Sequence, residues 1–293
     1  MRLVLITGAT DGIGKMTALK LAGLGMHVIV HGRNPQKAQD VVAELKAASH
    51  NPNIDYLIAD LLDPAAIKAM VQQFTQRYPR LDVLINNAGA VFDNQRRETK
   101  QGIEVTMALN VMAPFLLNQL LLPSLRQSDD GRIINLSSAA HQMSGRPDMA
   151  DLNLQHTPSA QRRYGLSKRF LIWNTQTQAA WLSAAGITNV TVNAAHPGTV
   201  ATKFGQASDK GFVNNAIYKT AITLSKFPPI GRHFSVEHGA ATDVYLASSP
   251  EVAGVTGKYF GNSREQQPAT KKDSPQNRAA LWQYCQTTLA AWL

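Results

Sequence analysis

Short apolar runs recur along the chain at 3–6, 28–30, 56–58, 83–85, 133–136 and 190–192. Each is short and mostly apolar, which is the pattern of a strand buried on both faces. The segments between the first five carry apolar residues at helical spacing. Strand and helix in alternation predict a parallel sheet with helices on both sides. The pattern carries no repeat and no linker, so one domain over 1–293 is expected. After about position 202 the alternation weakens. An excursion over about 203–235 then sets Phe212, Ile217, Tyr218, Leu224, Phe227 and Ile230 among Lys, Gly and Pro. Its readings are a substrate cover, a membrane-surface patch, or a plain packing or oligomer surface.

Composition narrows the class. With 293 residues and 44% hydrophobic content the chain can bury a sizeable core. No run reaches the length of a membrane span, and a strand begins within two residues of the start, leaving no room for a signal peptide, so a cytoplasmic protein is expected. Cys285 is the only cysteine, which excludes an intrachain disulfide and a thiolate metal cluster; no metal site is expected. A net charge of +9 suits anionic partners. The basic residues stand in scattered pairs such as Arg96-Arg97, Arg162-Arg163 and Lys271-Lys272 without interleaved aromatics, so no specific nucleic-acid partner is expected.

Chemistry enters at the strand ends. Thr7-Gly8-Ala9-Thr10-Asp11-Gly12-Ile13-Gly14 follows the first strand and opens a helix. Glycines suit the tight turn, the close approach of a pyrophosphate and the packing of helix on sheet, while the helix N-terminus attracts phosphate. The spacing differs from the commoner dinucleotide fingerprint, and such a triplet elsewhere marks only a turn. After the second strand comes His31-Gly32-Arg33-Asn34, with no carboxylate for a ribose diol. Arg33 is placed to pair with a 2′-phosphate, which favours NADP(H) over NAD(H); the plainer reading is a solvated loop charge. Asp60, ending the third strand beside Leu61, is a candidate adenine contact, and Asp63-Pro64 reads as a helix cap.

Tyr164 and Lys168 stand four apart, on one face of an expected helix. An ammonium beside a phenol favours the phenolate and draws its pKa toward a useful range. The pair alone is common and usually structural. Gly131-Arg132-Ile133-Ile134-Asn135-Leu136-Ser137-Ser138 supplies a strand ending in two hydroxyls, Asn86-Asn87-Ala88-Gly89 ends the fourth strand, and His196-Pro197-Gly198-Thr199-Val200-Ala201-Thr202 follows the sixth. Each doubles as ordinary turn chemistry, but all belong to the sheet edge where open α/β sheets bind ligands. His141 and His156, in the loop before Tyr164, read as solvated residues or substrate contacts.

On these joint motifs the chain resembles the short-chain dehydrogenase/reductase family over nearly its whole length. The resemblance implies a single-domain Rossmann fold, α/β and doubly wound, with about seven strands. It implies Tyr164 as acid–base residue, Lys168 on the nicotinamide ribose and lowering the tyrosine pKa, and Ser138, rather than Ser137, on the substrate oxygen. Asn110, in Leu109-Asn110-Val111-Met112, is similar to the helix asparagine that holds a proton-relay water. The cofactor would touch Thr7, Gly8, Thr10, Asp11, Gly12, Ile13, Gly14, Arg33, Asn34, Asp60, Leu61, Asn87, Ala88, Gly89, Pro197, Gly198, Val200 and Thr202. Between Ser138 and Tyr164 lie 25 residues, about twice the family's usual interval. That spacing, the Gly32-Arg33-Asn34 turn and Gly257-Lys258-Tyr259-Phe260 resemble the retinol-dehydrogenase-like and protochlorophyllide-reductase-like branch, which implies NADP(H) and a bulky apolar small-molecule substrate. Asp11 stands where many NADP-using relatives carry a basic residue, which makes Arg33 the main phosphate partner. The expected activity interconverts a ketone or aldehyde with an alcohol. Reduction of a carbon–carbon double bond and a non-catalytic NADP sensor are the alternatives. Oligomeric state, homodimer or homotetramer, is not legible in the chain.

Overall fold

The computed structural model describes residues 1–198, 235–269 and 273–293. Val200, Thr202, the 203–234 part of the apolar excursion and the Lys271-Lys272 pair lie outside the described residues.

All six expected strands form: β1 (Leu3–Ile6), β2 (His27–Gly32), β3 (Ile54–Ile58), β4 (Val83–Asn86), β5 (Gly131–Leu136) and β6 (Val190–His196). Two short strands follow, β7 (Tyr259–Gly261) and β8 (Arg264–Gln266). The sheet order is β3-β2-β1-β4-β5-β6-β7-β8. Seven strands form the expected parallel sheet, and β8 adds an eighth by turning back antiparallel on β7. The turn between them holds Asn262 and Ser263 at positive φ. Such a two-residue left-handed turn suits a hairpin, and its strands are too short to show as an apolar run.

Nine helices are described: α1 (Gly12–Gly23), α2 (Pro35–Ser49), α3 (Pro64–Arg77), α4 (Val105–Met107), α5 (Ala113–Leu120), α6 (Leu122–Leu125), α7 (Ala160–Ala184), α8 (Val236–Ser248) and α9 (Pro275–Leu289). Side chains alternate across the sheet, so β1 sends Val4 and Ile6 to one core and Leu3 and Leu5 to the other. Ala18 and Leu21 of α1, Val41 and Leu45 of α2 and Leu246 of α8 cover the first face. Ile67 and Phe74 of α3, Phe115 of α5 and Phe170 and Trp173 of α7 cover the other. The expected cap at Asp63 is present, accepting from Ala65 N at 3.0 Å with Pro64 opening the helix. Cys285 is fully buried on α9.

Strand order reverses between β1 and β4, where chains leaving neighbouring strands turn to opposite faces and open a crevice.

Candidate active site

A cleft of about 540 Å³ occupies that crevice. It is lined from the glycine turn (Gly8, Thr10, Asp11, Gly12, Ile13, Gly14), the β2 end (Gly32, Arg33), the β3 end (Asp60, Leu61), the β4 end (Asn87, Ala88, Gly89), the β5 end (Ser137, Ser138), α7 (Tyr164, Lys168) and the β6 end (Pro197, Gly198). The structure therefore gathers most of the expected residues into one wall system, although they come from seven separate places in the chain.

The glycine turn forms a cradle. Gly8 and Gly12 have φ of +63° and +52°, the left-handed region open to glycine. A Cβ on Gly14 would meet the Gly8 carbonyl oxygen at 2.6 Å and run into the Asn87 amide. Asn87 Nδ2 donates to the carbonyls of Thr7 and Gly8 at 2.7 and 3.1 Å, stapling the β4 turn to the glycine turn. Asp11 caps α1 through Gly12 N at 2.9 Å. The open N-terminus of α1 then aims its remaining N–H groups and positive dipole end at the cleft, which fits a pyrophosphate.

Two cations line the cleft beyond the end of β2, Arg33 and Lys37. Arg33 is exposed and forms no ion pair among the described residues. Lys37, absent from the sequence-based set, pairs with Asp11 at 2.9 Å. It escaped notice because it sits in the first turn of α2, where a lysine reads as a solvated helix charge. His31 was also missed. Its Nδ1 accepts from Gly8 N at 3.2 Å and its Nε2 donates to the Ala59 carbonyl at 3.2 Å. Burial pushes its pKa down to about 4, so it stays neutral and keeps that donor–acceptor arrangement.

At the other end Tyr164 and Lys168 lie one turn apart on α7. The Tyr164 and Ser138 side chains are hydrogen-bonded, and Lys168 Nζ lies 5.7 Å from the Tyr164 ring centroid. Lys168 Nζ donates to the Leu136 carbonyl at 2.7 Å while Ser137 Oγ donates to the Lys168 carbonyl at 2.9 Å, so α7 and the β5 end are tied in both directions. This leaves Ser138, not Ser137, beside the phenol.

The expected lowering of the Tyr164 pKa is corrected here. Burial pushes the phenol up to about 12, and the only opposing influence is its bond with Ser138. Lys168 is itself pushed down to about 7 by burial. Desolvation penalises the charged form of each group.

Three expected residues do not line the cleft. Thr7 is buried, donating to the Ile85 carbonyl at 3.3 Å and accepting from Ala88 N at 3.0 Å. Asn34 caps α2 by accepting from Lys37 N at 3.0 Å. Asn110 lies in a π-helical turn (Ala108–Met112), a helix irregularity frequent at functional sites. Its side chain bridges Ala90 N, Ala90 O and Ser167 Oγ at 3.0–3.1 Å. Asp60 faces the cleft, with Oδ1 accepting from Leu62 N at 3.0 Å.

The long interval before Tyr164 is clamped by two buried arginines of α7. Arg163 donates to the carbonyls of Thr157, Asp93 and Asn94 at 2.8–2.9 Å and faces Glu104 at 3.5 Å. Arg169 donates to Gly145 and His141 carbonyls at 2.9 and 3.0 Å. His141 is fully buried, contrary to a solvated loop residue.

Residues 2–211 match the family model described as short chain dehydrogenase. The chain is 35% identical to human polyprenol dehydrogenase over 90% of this chain and 78% of that protein. It is 35% identical to human retinol dehydrogenase 14, covering 96% of this chain and 84% of the relative. Among solved structures, the Pseudomonas aeruginosa RhlG/NADP active-site complex is similar with a TM-score of 0.68 and 27% identity, over 89% of this chain and 94% of that one. No described helix is long and apolar enough to cross a membrane.

Proposed function

The chain belongs to the short-chain dehydrogenase family, and from that premise we propose that it reduces the carbonyl group of a bulky apolar ketone or aldehyde with NADPH. One observation carries the reading: the hydrogen-bonded Tyr164 and Ser138 side chains line the same cleft as the glycine cradle, with Lys168 directly behind the phenol.

When bound, a nicotinamide cofactor would supply the hydride that such a reduction needs. Gly8, Gly12 and Gly14 would hold its pyrophosphate against the α1 N-terminus, and Arg33 with Lys37 would hold a 2′-phosphate. Lys168 would donate to a hydroxyl of the nicotinamide ribose. Tyr164 donates its proton to the carbonyl oxygen, and Ser138 donates a hydrogen bond that stabilises the negative charge growing there. A phenol pushed up to about 12 stays protonated at neutral pH, as a proton donor must. Asn110 holds the Ala90 turn against the Ser167 hydroxyl, which keeps the helix carrying Tyr164 and Lys168 in register with the cleft.

Phe92 and Leu109 add apolar surface to the cleft. They support a lipophilic substrate, as do relatives whose names specify polyprenol and retinol. The test is NADPH depletion measured over aliphatic, aromatic, steroid, retinoid and polyprenal carbonyls, with Tyr164→Phe as control. Turnover of the long apolar members that Tyr164→Phe abolishes supports the reading. Failure with every carbonyl, or reduction confined to activated alkenes, refutes it.

A further inference from the structure

His141 packs directly beneath Ser138 and no step above uses it. The carbonyl of Ser138 accepts from two donors of this residue, the backbone N–H at 3.1 Å and ring Nδ1 at 2.7 Å. On the opposite edge of the ring, Nε2 accepts from Ala269 N at 3.1 Å. A backbone N–H can only donate, so Nε2 carries no proton and Nδ1 must carry one. The ring's tautomer is thus set by a segment more than a hundred residues away in sequence, and that tautomer is the one able to donate to Ser138.

The surroundings keep the ring neutral. From α7, the Arg169 guanidinium donates to the His141 carbonyl at 3.0 Å. From β7, the Tyr259 ring meets the imidazole edge to face at 5.2 Å with its hydroxyl 3.5 Å from Nδ1, and the His196 ring at the end of β6 stacks on the other side of Tyr259 at 5.4 Å. Arg169 and His196 both oppose a further positive charge, and burial opposes it more.

We propose that His141 is a positioning residue for Ser138: its Nδ1–H fixes the peptide that carries the hydroxyl, and the Ala269 N–H fixes the proton on Nδ1. The assignment rests on the reading of Ser138 as the group that stabilises the substrate oxygen. It gives the 267–269 segment after β8 a role in the site without any contact with substrate.

Three substitutions separate the two ring nitrogens. Asparagine places an amide nitrogen near the Nδ1 position and keeps the bond to Ser138, glutamine places an amide oxygen near Nε2 and keeps the bond to Ala269, and alanine keeps neither. Loss of one positioning hydrogen bond is worth about tenfold in rate. The expected result is kcat lowered about tenfold or more in His141→Gln and His141→Ala and held within about threefold of wild type in His141→Asn. KM and the NADPH Kd should be nearly constant across the set. Glutamine retaining activity while asparagine loses it, or all three failing equally, overturns the assignment. A readout independent of turnover guards against variants that misfold: in [15N]histidine-labelled wild-type protein, the resonances assigned to His141 by their loss in His141→Asn should show the neutral Nδ1–H tautomer at neutral pH and titrate below the ordinary histidine range. An Nε2–H tautomer or titration near pH 6.5 overturns the proposal. Wild-type protein with no carbonyl turnover but the expected tautomer would sink the reaction assigned to the site and leave the His141 geometry standing.

Discussion

Asp243, on α8, is the most exposed to test of all the buried groups. Its side chain is fully buried, and among the described residues neither carboxyl oxygen has a hydrogen-bond partner. The helix packs on α1, β5 and β6, and burial alone pushes the carboxyl from 3.8 to about 7. A gap of roughly three pH units corresponds to about 4 kcal/mol between the two protonation states. The sign follows from linkage. The folded state holds the proton more tightly than the unfolded chain, so Asp243 costs nothing below about pH 4 and the cost grows as pH rises to about 7, then levels. Asp243→Asn keeps the shape and removes the ionisation. In urea titrations the variant should match wild type within about 1 kcal/mol near pH 4.5 and exceed it by about 3 kcal/mol at pH 8, with Asp243→Leu behaving alike. A stability difference that stays flat between those pH values would refute the reasoning, because it would mean that the carboxylate is solvated or paired in the folded protein.

Other outcomes follow from the cleft. Tyr164→Phe removes the donated proton while leaving the glycine cradle intact, so NADPH titration by fluorescence should be nearly unchanged while kcat falls at least about a hundredfold; unchanged turnover would show the donor to be another group. Arg33→Ala and Lys37→Ala should each weaken NADPH by about tenfold or more with NADH little affected, and the double variant should erase the preference; equal weakening of both cofactors would place the 2′-phosphate elsewhere. Gly14→Ala puts a methyl group into the Gly8 carbonyl and the Asn87 amide, so cofactor binding and thermal stability should fall together, whereas retention of both would mean that the turn has room to spare.

The sheet was legible because strands buried on both faces must be continuously apolar, and β1, β4 and β5 are fully buried along their length. The glycine turn and the Tyr164–Lys168 pair were legible for a different reason: each encodes its geometry within eight residues. The β7–β8 hairpin escaped because strands of three residues leave no periodic trace. Lys37 and His31 escaped because a lysine in a first helical turn and a histidine ending a strand have common structural readings. Only the placing of the β2 end between the glycine turn and the end of β3 gives His31 its two hydrogen bonds.

Electrostatics marks the boundary of local reading. Spacing placed the ammonium and phenol of α7 together, and from spacing alone the tyrosine pKa should fall. Depth in the fold reverses that sign, because the phenol is itself desolvated, and burial draws the Lys168 pKa down as well. Depth is set by the β5 end, the Ala90 turn and the clamped 139–145 segment together, none of which is near Tyr164 in sequence. Arg163 and Arg169 show the same division of labour: as sequence they are surplus positive charge flanking the motif, and as structure they bind five carbonyls of the segments that enclose it. Part of the chain's positive charge is therefore spent inside the protein, holding main-chain oxygens around the site, so the formal charge overstates what the surface offers to an anionic partner.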